Sequence, residues 1–168
     1  SYSIPLGETL TNVSLGTGLV TSIGTNAFTS SNLTSITIPA SVTIIGDLAF
    51  AEGSNLASVT FVKSSQLTSI GKSAFYNTDS LTYINIPDSV TSIGYGAFFR
   101  ATKLTSIIIP AGVTSIGDYA FYQTLSLTSV ILYPTTITNL NNNGASPPIP
   151  TVDGPLSSFY GSGSVAII

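Results

Sequence analysis

The sequence predicts a repeat solenoid, a fold in which one short unit recurs along the chain and each copy stacks on the copy before it. Three observations predict this fold class. The phrase LTSIxIPxxVTSIGxxAF returns at a nearly fixed spacing, and its apolar positions stay in register from copy to copy. Hydrophobic residues make up 43% of the chain and charged residues only 7%. Such a chain needs its apolar residues at regular positions inside, with Ser and Thr supplying most of the surface.

Six units begin at equivalent leucines, at intervals of 23, 23, 25, 23 and 23 residues. No break in composition divides the chain, so we predict one domain over residues 1–168. The unit starts are Leu10, Leu33, Leu56, Leu81, Leu104 and Leu127. The predicted parts are an N-terminal cap or partial repeat (1–9), the repeats (10–132), an irregular insertion rich in Pro, Asn and Gly (133–158), and a final partial repeat (159–168).

Each unit opens with a predicted strand. Ile36 and Ile38 are two residues apart, which is the period of a strand, and in three units a proline follows and marks the strand's end. The β-branched tract 90–93 predicts a second extended segment, and Gly94 then allows a backbone conformation or a close approach that a side chain would forbid. The Ala-Phe pair of each unit is predicted to lie on a single helical turn. One unit buries too little apolar surface to fold alone, so the units must stack.

The last unit departs from the repeat. The stretch from its strand to its Phe is 27 residues (132–159), where the preceding unit needs 12 (109–121), so about 15 residues are inserted. The insertion contains Asn-Asn-Asn-Gly and Pro-Pro-Ile-Pro, which are turn and polyproline signals. After it, Val165 and Ile168 are predicted to occupy the Leu and Ile positions of the next strand.

These units resemble the BspA-like leucine-rich-repeat family, whose repeat of about 23 residues carries the phrase LxxIxIPxxVxxIGxxAF. The similarity covers residues 10–132. It implies an α/β fold by leucine-rich-repeat convention, strongly β-rich: a right-handed solenoid with a parallel concave sheet, and with short extended segments and single helical turns on the convex side. It also implies a cell-surface or extracellular protein, because family members commonly adhere to host or matrix molecules. The family's usual Cys position holds small residues here, which the core should tolerate: Gly53, Thr78, Ala101 and Thr124.

Composition argues against several function classes. The chain has no His and no Cys, so a nucleophilic serine would lack its usual base, and thiol chemistry and the commonest metal ligand are absent. Four basic residues and a net charge of -3 argue against nucleic-acid binding. No apolar run approaches the roughly 18 residues of a membrane span. We therefore expect no enzyme, no cofactor, no metal site and no membrane insertion in this segment.

The outward positions of the predicted strands form the predicted binding face. This face is rich in hydroxyls in its N-terminal half and more apolar toward Ile108 and Ile131, and Tyr83 between the halves is a candidate anchor for a partner. The competing interpretation is a solvated sheet face without a partner. The candidate residues are Ser35, Thr37, Ser58, Thr60, Tyr83, Asn85, Ser106, Ile108, Ser129 and Ile131.

Two other surfaces each allow two interpretations. An aromatic stripe follows the Ala-Phe step and forms either a contact surface or a cover over the core: Tyr76, Phe99 and Tyr122, with Tyr95 and Tyr119 nearby. A threonine column raises an ice-binding hypothesis, although the strand face lacks a paired Thr-x-Thr grid. The ordinary interpretation of that column is β-propensity with hydroxyl hydrogen bonds between units: Thr21, Thr43, Thr68, Thr91, Thr114 and Thr138.

We therefore predict a non-catalytic recognition and adhesion module, secreted or on the cell surface, that binds a protein or glycan partner. The main alternative is a structural protein that self-associates head to tail into a homo-oligomer, through the apolar C-terminal edge 165–168. An ice-binding surface is a minor alternative. Two N-x-S/T sequons make Asn12 and Asn32 candidate glycosylation sites.

Overall fold

The structure is a computed structural model that describes residues 11–16, 18, 20–133, 139–140 and 166–167. Thirteen short strands, all paired in parallel, form its regular structure, and the described residues contain no helix. This confirms the predicted parallel-sheet solenoid. The predicted cap at 1–9 and most of the predicted insertion at 133–158 lie outside the described residues.

The first strand of the second coil places two hydrophobic residues in the core and the residue between them outside. In the coil that begins at Leu33, Ile36 and Ile38 are buried, whereas Thr37 is exposed, as the two-residue period of a strand requires. The first strands are β1 (Asn12–Ser14), β3 (Ser35–Ile38), β5 (Ser58–Phe61), β7 (Tyr83–Asn85), β9 (Ser106–Ile109), β11 (Ser129–Leu132) and β13 (Ala166–Ile167).

These first strands form two sheets rather than one. The strand orders are β1-β3-β5 and β7-β9-β11-β13, so the ladder is interrupted between β5 and β7 although the two strands remain neighbours in space. The interruption falls between the third coil, residues 56–80, and the fourth coil, residues 81–103. The third coil is the one whose interval is 25 residues, and the two extra residues follow β5 directly.

The second strands form one uninterrupted parallel sheet of six: β2 (Ser22–Ile23), β4 (Ile44–Ile45), β6 (Ser69–Ile70), β8 (Ser92–Ile93), β10 (Ser115–Ile116) and β12 (Asn139–Leu140). β12 lies inside the segment predicted as an insertion. Its register pairs Asn139 with Ser115 and Leu140 with Ile116, so residues 139–140 continue the repeat rather than interrupt it.

The third side of each coil is a ribbon of successive turns, in place of the predicted helical turn. Across residues 24–31, alternate N–H groups bond inside the coil, as Ala27 does to Gly24 at 3.2 Å, and to the next coil, as Phe28 does to Ala49 at 2.7 Å. Non-glycine residues at φ of 52–60° recur along these ribbons. An α-helix would keep its N–H groups for its own carbonyls, whereas this backbone directs half of them to its neighbour.

The core lies between the three sides and, in the described residues, consists of columns that continue from coil to coil. One column is a stack of phenylalanines whose ring centroids are 5.2–5.3 Å apart with interplanar angles of 3–9°. Its members are Phe28, Phe50, Phe75, Phe98 and Phe121. The column of small residues predicted at 53, 78, 101 and 124 is buried, and the Thr78 hydroxyl donates to the Phe75 carbonyl at 2.9 Å. The core therefore accepts small residues at this position.

The last strand is displaced by one residue from its predicted register. β13 pairs Ala166 with Ser129 and Ile167 with Val130, so Ile167 rather than Ile168 follows the isoleucine column. Val165 and Ile168 themselves lie outside the described residues.

Candidate binding face

The ten residues of the predicted binding face lie in two aligned columns, which we call the first-strand face. In each sheet the register places like positions side by side, with Ser35 next to Ser58 and Thr37 next to Thr60. In the second sheet Tyr83 lies beside Ser106, and Ser106 beside Ser129; the parallel column runs Asn85, Ile108 and Ile131. The structure thus brings the ten predicted residues together in two groups, separated by the interruption between β5 and β7.

The chemistry of the first-strand face changes along the solenoid. Its N-terminal half presents serine and threonine hydroxyls, and Ser35 already donates to the Asn12 side chain at 2.6 Å. Its C-terminal half presents Ile108 and Ile131, both half-buried. Tyr83 begins this half with 47% of its surface exposed. None of the ten residues is charged at neutral pH, so contact with a partner would depend on shape, apolar burial and hydrogen bonds.

A cleft that was not predicted from the sequence lies at the interruption. It encloses about 270 Å³ between the loop that follows β5 and the loop that follows β7. We call it the corner cleft. Its lining residues are Phe61, Val62, Lys63, Ser65, Asn85, Ile86, Pro87, Asp88 and Ser89. The available signal was the 25-residue interval combined with Phe61, which occupies a position that is Ile in the neighbouring coils.

Several acidic side chains hold neighbouring coils together. Asp47 accepts the backbone N–H of Lys72 at 2.7 Å, and Asp79 accepts the Thr102 hydroxyl at 2.8 Å. Glu52 accepts the Ser30 hydroxyl at 2.8 Å. No group of acidic residues that could hold a metal ion occurs in the part of the chain that the structure describes. These carboxylates therefore serve the stacking of coils.

The aromatic stripe lies on the turn side and its rings contact one another across coils. Phe99 lies 5.4 Å from Tyr76 and 5.1 Å from Tyr122, and Tyr119 lies 5.5 Å from Tyr122. These four residues are half-buried, whereas Tyr95 is 48% exposed with the Lys72 ammonium 5.5 Å above its ring. The mutual contacts match the interpretation of the stripe as a cover over the solenoid.

The threonine column makes the hydrogen bonds expected of its ordinary interpretation. Four hydroxyls of the column donate to the carbonyl of the equivalent threonine in the preceding coil, as Thr68 does to Thr43 at 3.0 Å and Thr91 does to Thr68 at 3.1 Å. Thr43 and Thr114 make the same contact, and Thr138 lies outside the described residues.

Both predicted glycosylation sites are exposed asparagines on the N-terminal coils. Their side chains take part in hydrogen bonds between coils, since Asn12 accepts from Ser35 and Asn32 accepts from Asn55 at 3.3 Å. Among the described stretches, no helix could traverse a bilayer.

Comparisons with known proteins agree with this architecture. A search of curated proteins gave no match. Among solved structures, the chain is similar to a leucine-rich-repeat protein of T. pallidum, with 32% identity and a TM-score of 0.64 over 67% of this chain and 52% of that chain. It is also similar to a leucine rich cell surface protein of Faecalibacterium prausnitzii, with 36% identity and a TM-score of 0.66 over 76% of this chain and 36% of that one. A leucine-rich-repeat protein of Bacteroides ovatus gives 38% identity and a TM-score of 0.61, over 66% and 28%.

The chain thus spans about half the length of the first of these proteins and less of the other two. The family model of the BspA type leucine rich repeat region matches six copies across residues 21–144. These residues include all six second strands and five of the seven first strands. The chain therefore belongs to the BspA-type leucine-rich-repeat family, whose fold is a repeat scaffold.

Proposed function

We propose that the chain is a non-catalytic recognition and adhesion module of a cell-surface or secreted protein, and that its first-strand face binds a protein or glycan partner. The observation that carries this proposal is the alignment of Tyr83, Asn85 and Ile108 on neighbouring strands, where an exposed aromatic ring adjoins an amide and an apolar column. Exposed aromatic side chains on a rigid sheet are typical anchors of protein interfaces, because they bury a large area with few rotatable bonds.

Two further facts support the proposal. The F. prausnitzii protein to which the chain is similar is described as a cell surface protein. The chain also lacks His and Cys, and three of its carboxylates are engaged in contacts between coils, which leaves few groups for acid–base or nucleophilic chemistry.

The test is a pair of charge-matched double variants. Tyr83→Asp with Ile108→Asp places two charges on the first-strand face, and binding to immobilised matrix glycoproteins and to a glycan array is measured by surface plasmon resonance and array fluorescence. We expect affinity for each ligand that the wild-type chain binds to fall by at least about tenfold, because an unpaired charge at an interface must be desolvated.

The control places the same two charges on the other sides of the solenoid. Tyr95→Asp with Ile44→Asp introduces the same change in net charge, and the exposure of Tyr95, 48%, matches the 47% of Tyr83. This control is expected to bind like the wild-type chain. Unchanged binding by the Tyr83/Ile108 variant, or equal loss in both variants, would contradict the assignment to the first-strand face.

The two alternatives from the sequence stay predictions. Head-to-tail self-association through residues 165–168 would appear as a mass that rises with concentration in light scattering. Ice binding would appear as thermal hysteresis. The ice-binding alternative finds little support in the structure. The threonine hydroxyls of the repeated column donate to carbonyls of the preceding coil, and the first-strand columns are interrupted after Thr60.

A further inference from the structure

The corner cleft arises from the irregular part of the third coil. In the second coil three residues, Pro-Ala-Ser, connect β3 to the next core residue. In the third coil the equivalent connection after β5 has five residues, 62–66. Phe61, whose side chain is larger than that of isoleucine, occupies the isoleucine column. It is only half-buried, whereas Ile38 and Ile109 in the same column are buried. The cleft lies between this longer loop and the loop that follows β7 in the fourth coil.

The walls of the cleft are held by hydrogen bonds between coils. The Ser89 hydroxyl lies within hydrogen-bonding distance of two carbonyls of the third coil, that of Ser65 at 3.0 Å and that of Leu67 at 2.7 Å. The Gln66 N–H donates to the Ala40 carbonyl at 3.1 Å, which ties the loop to the second coil as well. A binding site whose walls are already fixed loses less conformational entropy when a ligand enters.

The lining is mostly polar and includes a smaller apolar part. Phe61 and Pro87 are half-buried and provide apolar surface, while Lys63, Asn85 and Asp88 are exposed. In the described part of the chain, neither the Lys63 ammonium nor the Asp88 carboxylate makes an ion pair or a side-chain hydrogen bond. One donor-only group and one acceptor-only group thus face the same space, and their charges cancel.

We propose that the corner cleft binds one neutral pyranose ring of a glycan, and that it extends the first-strand face as a sugar-specific subsite. A pyranose has apolar C–H faces and a girdle of hydroxyls that both donate and accept, which matches a mostly polar lining of donors and acceptors with a smaller apolar part from Phe61 and Pro87. The balanced charges disfavour strongly anionic and strongly cationic ligands. The volume is slightly below the range of drug-sized sites, as expected for a single sugar. Asn85 belongs to both the cleft and the first-strand face, so this inference rests on the proposed function for its biological setting.

The experiment is a titration of the isotopically labelled chain, followed by amide chemical shifts. The probes are D-galactose, D-glucose and N-acetyl-D-glucosamine, with glycylglycine as a zwitterionic peptide probe. We expect at least one sugar to cause saturable shifts at the amides of Lys63, Asn85 and Asp88, with a Kd on the order of 1 mM, as is usual for a small open site. Absence of saturable shifts up to about 50 mM sugar, or shifts produced by glycylglycine alone, would overturn the proposal.

Two variants test whether the cleft itself is responsible. Replacing residues 62–66 with the Pro-Ala-Ser of residues 39–41 restores the 23-residue interval, and we expect this regularised variant to lose sugar binding. Lys63→Met should weaken binding at least about fivefold, whereas Lys103→Met, an exposed lysine of the fourth coil, should leave it unchanged. Circular dichroism of each variant checks that the solenoid remains folded. Sugar binding that survives in a folded regularised variant contradicts the cleft assignment.

The results separate this inference from the proposed function. If sugars do not bind but Tyr83→Asp with Ile108→Asp abolishes adhesion, the cleft proposal fails and the first-strand face stands. If sugars bind in the cleft but adhesion is indifferent to the face variant, the cleft proposal stands and the function of the face fails.

Discussion

Gly94 and Gly96 are two residues apart and are required for different physical reasons. Gly94 has an ordinary φ, but a Cβ there would lie 2.6 Å from the carbonyl carbon of Gly71 in the preceding coil. Gly96 has a φ of +57°, and a Cβ there would find its nearest neighbours at 3.5 Å. The first glycine permits close approach of two backbones, and the second permits a left-handed conformation.

These reasons predict different costs for the same substitution. Gly94→Ala should destabilise the chain by about 3 kcal/mol or more, because the neighbouring backbone cannot move aside. Gly96→Ala should cost about 1–2 kcal/mol from its conformation alone. Gly96→Asn should cost less than Gly96→Ala, because Asn26 occupies the equivalent position of the first coil at a φ of 58°. Urea unfolding followed by circular dichroism measures all three, and equal stability of the two alanine variants would show that close approach is not limiting.

The element that differs most from expectation is the turn ribbon. Its left-handed residues include Arg100, which is exposed and has a φ of 60°, and Asn77, which occupies the equivalent position one coil earlier at 57°. In a helical turn, asparagine would be a poorer choice than arginine. In the ribbon, asparagine is the better choice, because its short polar side chain tolerates the left-handed region. The same substitution therefore distinguishes the two structures by the sign of its effect.

Arg100→Asn is expected to stabilise the chain by about 0.5–1 kcal/mol. A helical turn would instead predict a loss of roughly 0.5 kcal/mol. Lys103→Asn is the control, because Lys103 is exposed in the same coil and is not among the residues with positive φ. Thermal and urea unfolding give the comparison, and a destabilised Arg100→Asn chain with a neutral control would contradict the ribbon.

At the scale of the whole molecule, the joint between the third and fourth coils has fewer backbone connections than the others. The second strands pair continuously across it, but β5 and β7 share no ladder. In a solenoid each coil is stabilised chiefly by its immediate neighbours, so a weaker joint divides the array into two segments that open more independently.

Native-state hydrogen exchange should reveal this joint. Amides of β5 and β7 are expected to exchange faster than the equivalent amides of β3 and β9, and the regularised variant described above should slow them as its two sheets join. Similar exchange of all four strands in the wild-type chain would indicate that the interruption has little energetic effect. Faster exchange in a folded regularised variant would show that the extra residues strengthen the joint.

Much of this architecture could be predicted from local pattern. The alternation of Ile36 and Ile38 with outward residues and the small residues at 78 and 101 were expected and are present. For Gly94 the sequence predicted either a special conformation or a close approach, and the structure has the close approach. The alignment of the candidate face into columns was expected too, because equivalent positions of stacked repeats must lie side by side. These features depend only on whether a position faces the core. The residue types that recur at equivalent positions of the repeat indicate which positions do.

The remaining features depend on which backbone groups meet across neighbouring coils. The turn ribbon replaces a helix because alternate N–H groups find acceptors in the next coil, and such partners exist only once the coils are stacked. The interruption after β5 and the corner cleft depend on the position of the two extra residues in space. The sequence shows only the number of these residues, as a longer interval. Thus the sequence by itself determined the repeat, the strands and the composition of the core, because every unit repeats the same pattern of apolar and polar positions. Only the tertiary structure decided the hydrogen-bond partners, the division of the sheet and the shape of the surface, because these depend on the relative placement of two coils.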